Sequence, residues 1–273
     1  MSKRTKAFIL NLYMMNVKRI VSNSLEILAF KEATLDILYP KEQVCAVCAN
    51  KLDKSAVLGV CIWCLDVLPQ ISQPYCEKCG KPLDYKTEPC NECEGVNNYY
   101  EQALSVFEYT AGVQRLIYRF KYRGEQYLSH FLGGFLSKRL KEQKDWEYSY
   151  LVPVPLHKKR LRERGFNQAS LLASEIAKNL NLTVLGDVLL RIKETSVQAG
   201  LGRQERFVNL KQVFSVKDSL KLKGQSIVLV DDIYTTGSTA NECSRVLLEA
   251  GAKKVYVLTV ATGRPKDVSR GRG

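Results

Sequence analysis

The residues with the clearest chemistry are cysteines. Nine occur in the 273-residue chain, and eight of them form four Cys-x-x-Cys pairs: Cys45/Cys48, Cys61/Cys64, Cys76/Cys79 and Cys90/Cys93. A tight turn carrying two thiolates supplies half of a tetrahedral zinc site, so four pairs predict two structural Zn2+ sites, each with four thiolate ligands. Sequential pairing gives two zinc ribbons in tandem, and interleaved pairing gives a cross-braced module; the spacing admits both. Each closed site adds on the order of 10–16 kcal/mol of apparent binding free energy to a segment too small to fold alone. A disulfide module is the rival reading. Regular pairs without a signal peptide favour zinc and a reducing, cytoplasmic setting. The ninth, Cys243, falls on an apolar helix face and reads as core.

The second candidate is VLVDDIYTTGST, residues 228–239. A buried strand ending at Asp231 and Asp232 would place two carboxylates at the C-terminal edge of a sheet, where ligands bind in open α/β folds. Thr235, Thr236, Gly237, Ser238 and Thr239 then lead into a helix N-terminus, where free N–H groups and the helix dipole favour a phosphate. The stretch is not a Walker loop, because G-x-x-x-x-G-K-[ST] occurs nowhere in the chain. Carboxylates beside a phosphate cradle suit a sugar phosphate: the acids accept from hydroxyls and the loop holds the phosphate. The plainer alternative is a capped helix after a strand, its acids holding a metal or a neighbouring lysine.

The elements that must position these residues show in the apolar periods. Val113, Leu116, Ile117 and Phe120 repeat at helical spacing, as do Leu128, Phe131, Leu132 and Phe135. Asn167 can cap a helix with Ala169, Leu172, Ala173, Ile176, Ala177 and Leu180 on one face. Residues 150–154, 226–230 and VYVLTVA read as buried strands, and a helix over Ala240, Cys243, Val246, Leu247 and Ala250 ends at Gly251. Continuous apolar strands alternating with helices predict an α/β fold, a parallel sheet covered on both sides. The chain divides into a leader (1–40) with a helical second half, a Cys-rich module (41–97), the α/β domain (98–263) and a basic tail (264–273) expected to be disordered. The leader begins with basic residues and an apolar run, but Asn11 interrupts the run and Lys18-Arg19 closes it. Met14 and Met15 are alternative starts.

VLVDDIYTTGST resembles the 5-phosphoribosyl-1-pyrophosphate (PRPP) motif of type I phosphoribosyltransferases. By that resemblance Asp231 and Asp232 bind ribose hydroxyls and residues 235–239 bind the 5-phosphate, with Mg2+ accompanying PRPP in an active enzyme. A narrower likeness covers roughly residues 35–263. LDILYP, the Cys pairs, LIYRFKYRGE, VPVPLHKKRLRERGFNQA, TSVQAGLGRQERFVNLKQVF and the PRPP-like motif, in this order, resemble the ComF family of competence proteins. This likeness implies a phosphoribosyltransferase-like domain behind a double zinc ribbon, a role in bringing transforming DNA into the cytosol, and a helicase-like ATPase as partner. It places the protein in the cytoplasm, at or near the membrane uptake machinery.

Carried over from related enzymes, residues 153–159 form a pyrophosphate loop with Pro153 and Pro155 and with Lys158, Lys159 and Arg160 as phosphate partners. Residues 193–210 form a hood whose polar candidates are Thr195, Gln198, Arg203 and Arg206. Were the chain a transferase, Asp231, Asp232, Lys158, Lys159 and Arg203 would be its catalytic candidates, since pyrophosphate departure needs charge stabilisation. No acceptor pocket is readable, so catalysis stays open beside binding. The formal charge of +13 falls to +9 once eight thiolates and two Zn2+ are counted. That excess and the clusters at 115–123 and 157–164 suit single-stranded DNA, with Tyr118, Phe120, Tyr122 and Phe166 as stacking candidates. Lys121 faces either the site or nucleic acid, or simply ends a helix. An adaptor that docks the ATPase through its zinc module is the third reading.

Overall fold

The computed structural model describes residues 44–53, 56, 59–85, 89–193 and 212–265. The expected leader, the hood with Thr195, Gln198, Arg203 and Arg206, and the tail past residue 265 lie outside the described residues.

In chain order the elements are α1 (Ile62–Val67), β1 (Ala103–Glu108), α2 (Ala111–Tyr122), α3 (Leu128–Lys141), β2 (Tyr150–Pro153), α4 (Lys158–Arg164), α5 (Gln168–Leu180), β3 (Thr183–Val184), β4 (Leu189–Arg191), β5 (Phe214–Val216), β6 (Ser226–Tyr234), α6 (Ser238–Glu249) and β7 (Lys254–Thr262). Five strands form one sheet in the order β1-β7-β6-β2-β3, and every pairing in it is parallel. β4 and β5 pair antiparallel beside it. The central strands β6 and β7 are the most continuously apolar, as a sheet covered on both faces requires.

Side chains alternate between the two faces. Leu104, Val106, Leu151, Val228, Val230 and Leu258 share one core with α2, α3 and α5. Val152, Ile227, Leu229, Val255 and Val257 share the other with α6 and the β4–β5 pair. The Cys-rich module is split between them. Cys45, Val60, Cys64 and Leu68 join the first core, whereas Cys76, Cys79, Cys90, Cys93 and Tyr100 join the second. Between the two halves, residues 69–71 run along the outer side of β1: Ile71 N–H donates to the Val106 carbonyl and Glu108 N–H to the Pro69 carbonyl, both at 2.8 Å.

Two elements differ from the sequence reading. The strand with the acid pair continues to Tyr234 instead of ending at the aspartates, because Ile233 and Tyr234 are themselves good strand residues paired to Ala261 and Thr262. The stretch after β2 is a loop only over residues 154–157. From Lys158 it is helical, because the His157 ring accepts from Lys159 N–H and the straight-chain Lys, Arg and Glu residues favour a helix. Gly165, at φ 83°, ends α4 in the left-handed region and Asn167 caps α5, donor Ala169 N–H at 3.1 Å.

Candidate functional site

The metal-ligating residues assemble sequentially: Cys45, Cys48, Cys61 and Cys64 in one cluster, Cys76, Cys79, Cys90 and Cys93 in the other, all sulfurs of a cluster within 4.8 Å of one another. The interleaved alternative is therefore ruled out. The Cys48–Cys61 and Cys79–Cys90 sulfurs stand 3.8 and 3.7 Å apart. A tetrahedron with Zn–S bonds of about 2.3 Å has edges of about 3.8 Å, so both donor sets fit Zn2+. Cys243 is fully buried on α6, and burial raises its thiol pKa well above the usual value.

The adjacent acids of β6 diverge. Asp232 turns to the face of α2, where its Oδ1 lies 2.8 Å from the Lys121 ammonium. Burial lowers the Lys121 pKa, but the Asp232 charge and hydrogen bond more than offset that, and the net shift is upward. The neighbouring-lysine alternative thus holds for one acid of the two. Asp231 turns to the opposite face, where it borders a cavity of about 20 Å³ with Thr235, Gly237, Thr239 and Thr259. That volume is about one water molecule. Asp231 Oδ1 accepts the Asp232 N–H at 2.8 Å. Part of its surface reaches solvent, yet burial and the Asp232 charge push its pKa up to about 7, against the pull of Lys121. The fields of Lys121 and Arg191 both reach Asp231, although no motif marks Arg191 in the sequence. Burial, then Arg160, lowers the Arg191 pKa.

After β6 the chain turns through residues 235–237 into α6. Gly237 holds φ 77°, and a Cβ there would collide with the Tyr234 ring and hydroxyl. Gly237 brings no capping side chain to α6, and the Ser238 N–H reaches the Thr236 Oγ1 only at 3.5 Å. Thr236 Oγ1 and Ser238 Oγ are 2.8 Å apart, Ser238 is buried and Thr235 is exposed. The arrangement is a short turn of hydroxyls and a helix N-terminus beside one raised carboxyl. Such groups can donate to an anion and accept from a hydroxyl.

Around this site, Pro153 pairs with Val230 at the end of β2, and Pro155 lies in the loop that follows. Lys158 and Lys159 are exposed on α4 and Arg160 is half-buried. Phe120 and Phe166 are buried and packed on each other, so neither is open for stacking; their apolar positions serve the core. Tyr118 and Tyr122 are exposed, their ring centroids 5.1 Å apart, and the Arg164 guanidinium stands 5.0 Å over Tyr122. Arg115, in the first half of α2, and Arg123, at its C-cap, are exposed as well.

A double zinc ribbon domain family model matches residues 34–94, and a phosphoribosyl transferase domain family model matches residues 167–270. Competence protein F of Haemophilus influenzae is 32% identical over 74% of this chain and 90% of its own length. Competence protein ComFC of Bacillus subtilis is 32% identical over 80% and 82%. The DNA utilization protein YhgH of Escherichia coli K12 is 29% identical over 73% and 88%. Among solved structures, the glutamine PRPP amidotransferase of B. subtilis aligns at TM-score 0.32 and 20% identity, covering 45% of this chain and 25% of that one. No helix among the described residues is long and apolar enough to cross a membrane.

Proposed function

Because the chain belongs to the ComF family of competence proteins, we propose that it handles incoming single-stranded DNA in the cytoplasm, near the membrane uptake machinery, and carries a site for PRPP or a related sugar phosphate. The observation that carries the sugar-phosphate reading is the N-terminus of α6, whose N-cap Gly237 brings no side chain over its N–H groups, bordered by Asp231. Residues 235–239 would take the 5-phosphate, and Asp231 would accept from a ribose hydroxyl. Asp232 contributes through its pair with Lys121, which holds α2 against the site. Lys158, Lys159 and Arg160 would be the protein partners of the pyrophosphate, and Mg2+ would accompany PRPP. The cavity beside Asp231 must widen to admit a pentose. Isothermal titration with PRPP and Mg2+ tests this: wild type releases heat, and Asp231→Asn and Gly237→Ala weaken binding at least tenfold. A silent wild type sinks the reading.

For the nucleic acid, Tyr118, Tyr122 and Arg164 form an exposed stacking and cationic face flanked by Arg115 and Arg123. Base–aromatic stacking is worth about 1–3 kcal/mol per base. Tyr122→Ala should weaken a fluorescent oligothymidine about fivefold or more, and log affinity should fall steeply with log salt. The exposed Ile62, Trp63 and Val67 of α1 would be the contact for a helicase-like ATPase.

A further inference from the structure

The segment that leaves the second four-cysteine cluster runs directly beneath the turn at 235–237. Lys78, inside the Cys76-x-x-Cys79 knuckle, donates from Nζ to the Tyr100 carbonyl at 2.7 Å and the Glu101 carbonyl at 3.0 Å. Ala103 N–H returns a bond to the Lys78 carbonyl at 2.9 Å. Gly80, at φ 70°, closes the knuckle so tightly on β1 that a Cβ would lie 2.9 Å from Leu104 Cα. The knuckle therefore has almost no freedom to shift without moving residues 99–103.

Those residues in turn grip the turn and α6. Tyr100 is 1% exposed, and its hydroxyl sits 2.6 Å from the Tyr234 hydroxyl, the rings edge to face at 6.3 Å. The Tyr234 hydroxyl is the group that lies under Gly237. One residue earlier, Tyr99 N–H donates at 2.7 Å to Asn241 Oδ1 on the first turn of α6. Burial and the neighbouring Tyr100 hydroxyl raise the Tyr234 pKa well above its ordinary value of 10.

We propose that Tyr100 is a positioning residue that couples the second zinc site to the loop at 235–239, so that metal and sugar phosphate favour each other's binding. This rests on the sugar-phosphate reading above. Linkage is reciprocal: whatever factor zinc adds to phosphate affinity, phosphate adds to zinc retention. Tyr100→Phe removes one hydroxyl and strands the other in a dry place, which sets the expected factor at about fivefold.

The test uses the full zinc-loaded chain, ribose 5-phosphate as probe, and a colorimetric chelator to follow metal loss. In wild type, saturating ribose 5-phosphate slows release of the second-site zinc about fivefold and leaves the first-site rate unchanged. In Tyr100→Phe, zinc content stays at two per chain, ribose 5-phosphate binds about fivefold more weakly, and the slowing disappears. Lys78→Met, which keeps the hydroxyl pair but loosens the knuckle, loses the slowing too. Equal release rates with and without saturating ligand in wild type, or full slowing in Tyr100→Phe, overturn the inference. Should wild type fail to bind ribose 5-phosphate, the sugar-phosphate reading falls by itself. Amide exchange over 235–241 then decides the positioning role: faster exchange in Tyr100→Phe without ligand sustains it, and unchanged exchange overturns it.

Discussion

The two zinc ribbons have the same ligands and different surroundings. In the second, all four cysteines are buried, and Lys81 and Glu92 form a nearly enclosed ion pair of 2.6 Å between its knuckles. In the first, Cys48 is exposed and Cys61 half-exposed, with Trp63 beside them 79% open to solvent. Arg119 of α2 ties it to the domain, donating to the Ala46 and Val47 carbonyls at 2.9 and 3.2 Å and pairing with Glu125. The motif supplies the same four thiolates to both; the packing decides whether the site is a sealed part of the core or a surface module.

The largest expected effect separates the ribbons by folding. Cys76→Ser should remove one zinc and abolish cooperative unfolding, since all four ligands of its cluster are buried within the core shared with α6. Cys48→Ser should also drop zinc from two to one per chain but keep a cooperative transition with a lower Tm, seen by calorimetry and elemental analysis. A collapse of both variants alike would erase the distinction.

The next effect concerns the face on which the first ribbon sits. Lys121→Met strands the Asp232 carboxylate and should cost about 2–4 kcal/mol in denaturant unfolding. Adding Asp232→Asn should recover most of that loss. A purely additive pair would show that the contact carries no coupling.

Solvent access should show in kinetics. With excess chelator, one zinc should leave at least tenfold faster than the other, and in Cys48→Ser the fast phase should be missing. A single rate for both metals would mean that exposure does not govern release.

The smallest effect belongs to Asp231, on the second ribbon's face. Its folded pKa of about 7 lies above the unfolded value near 3.9, so the folded state holds the extra proton between them. This group costs no stability below about pH 4, and its cost grows up to about pH 7 and then levels. Asp231→Asn should therefore raise stability at pH 8, by about 1–2 kcal/mol after allowance for its partial exposure, and leave it unchanged near pH 4, as denaturant unfolding at the two pH values will show. Sugar-phosphate affinity of wild type should also rise from pH 6 to pH 8 more steeply than that of the variant.

Much of this was legible from local pattern. The cysteine spacing predicts the metal sites, and the apolar runs of β2, β6 and β7 predict a parallel sheet. Asn167 announces the start of α5, and Gly251 lies just past the end of α6. The acids were harder. Asp231-Asp232 reads as a pair because the residues are adjacent, but a strand of period two sends neighbours to opposite faces. Ile233 and Tyr234 were the available sign that the strand runs on. No local pattern could join Lys121 to Asp232 or Tyr100 to Tyr234, because those contacts exist only once distant segments pack. Sequential metal pairing was similarly hidden, since both arrangements use the same spacing.

The strip of chain at 69–71 has a consequence of its own. β1 is an outermost strand of the sheet, and its far side would otherwise offer unpaired backbone groups to any passing strand. Pro69 and Ile71 occupy the Glu108 N–H and the Val106 carbonyl. The short crossing between the ribbons thus also guards that border against self-association, and cutting it would leave the protein prone to stick to its own copies.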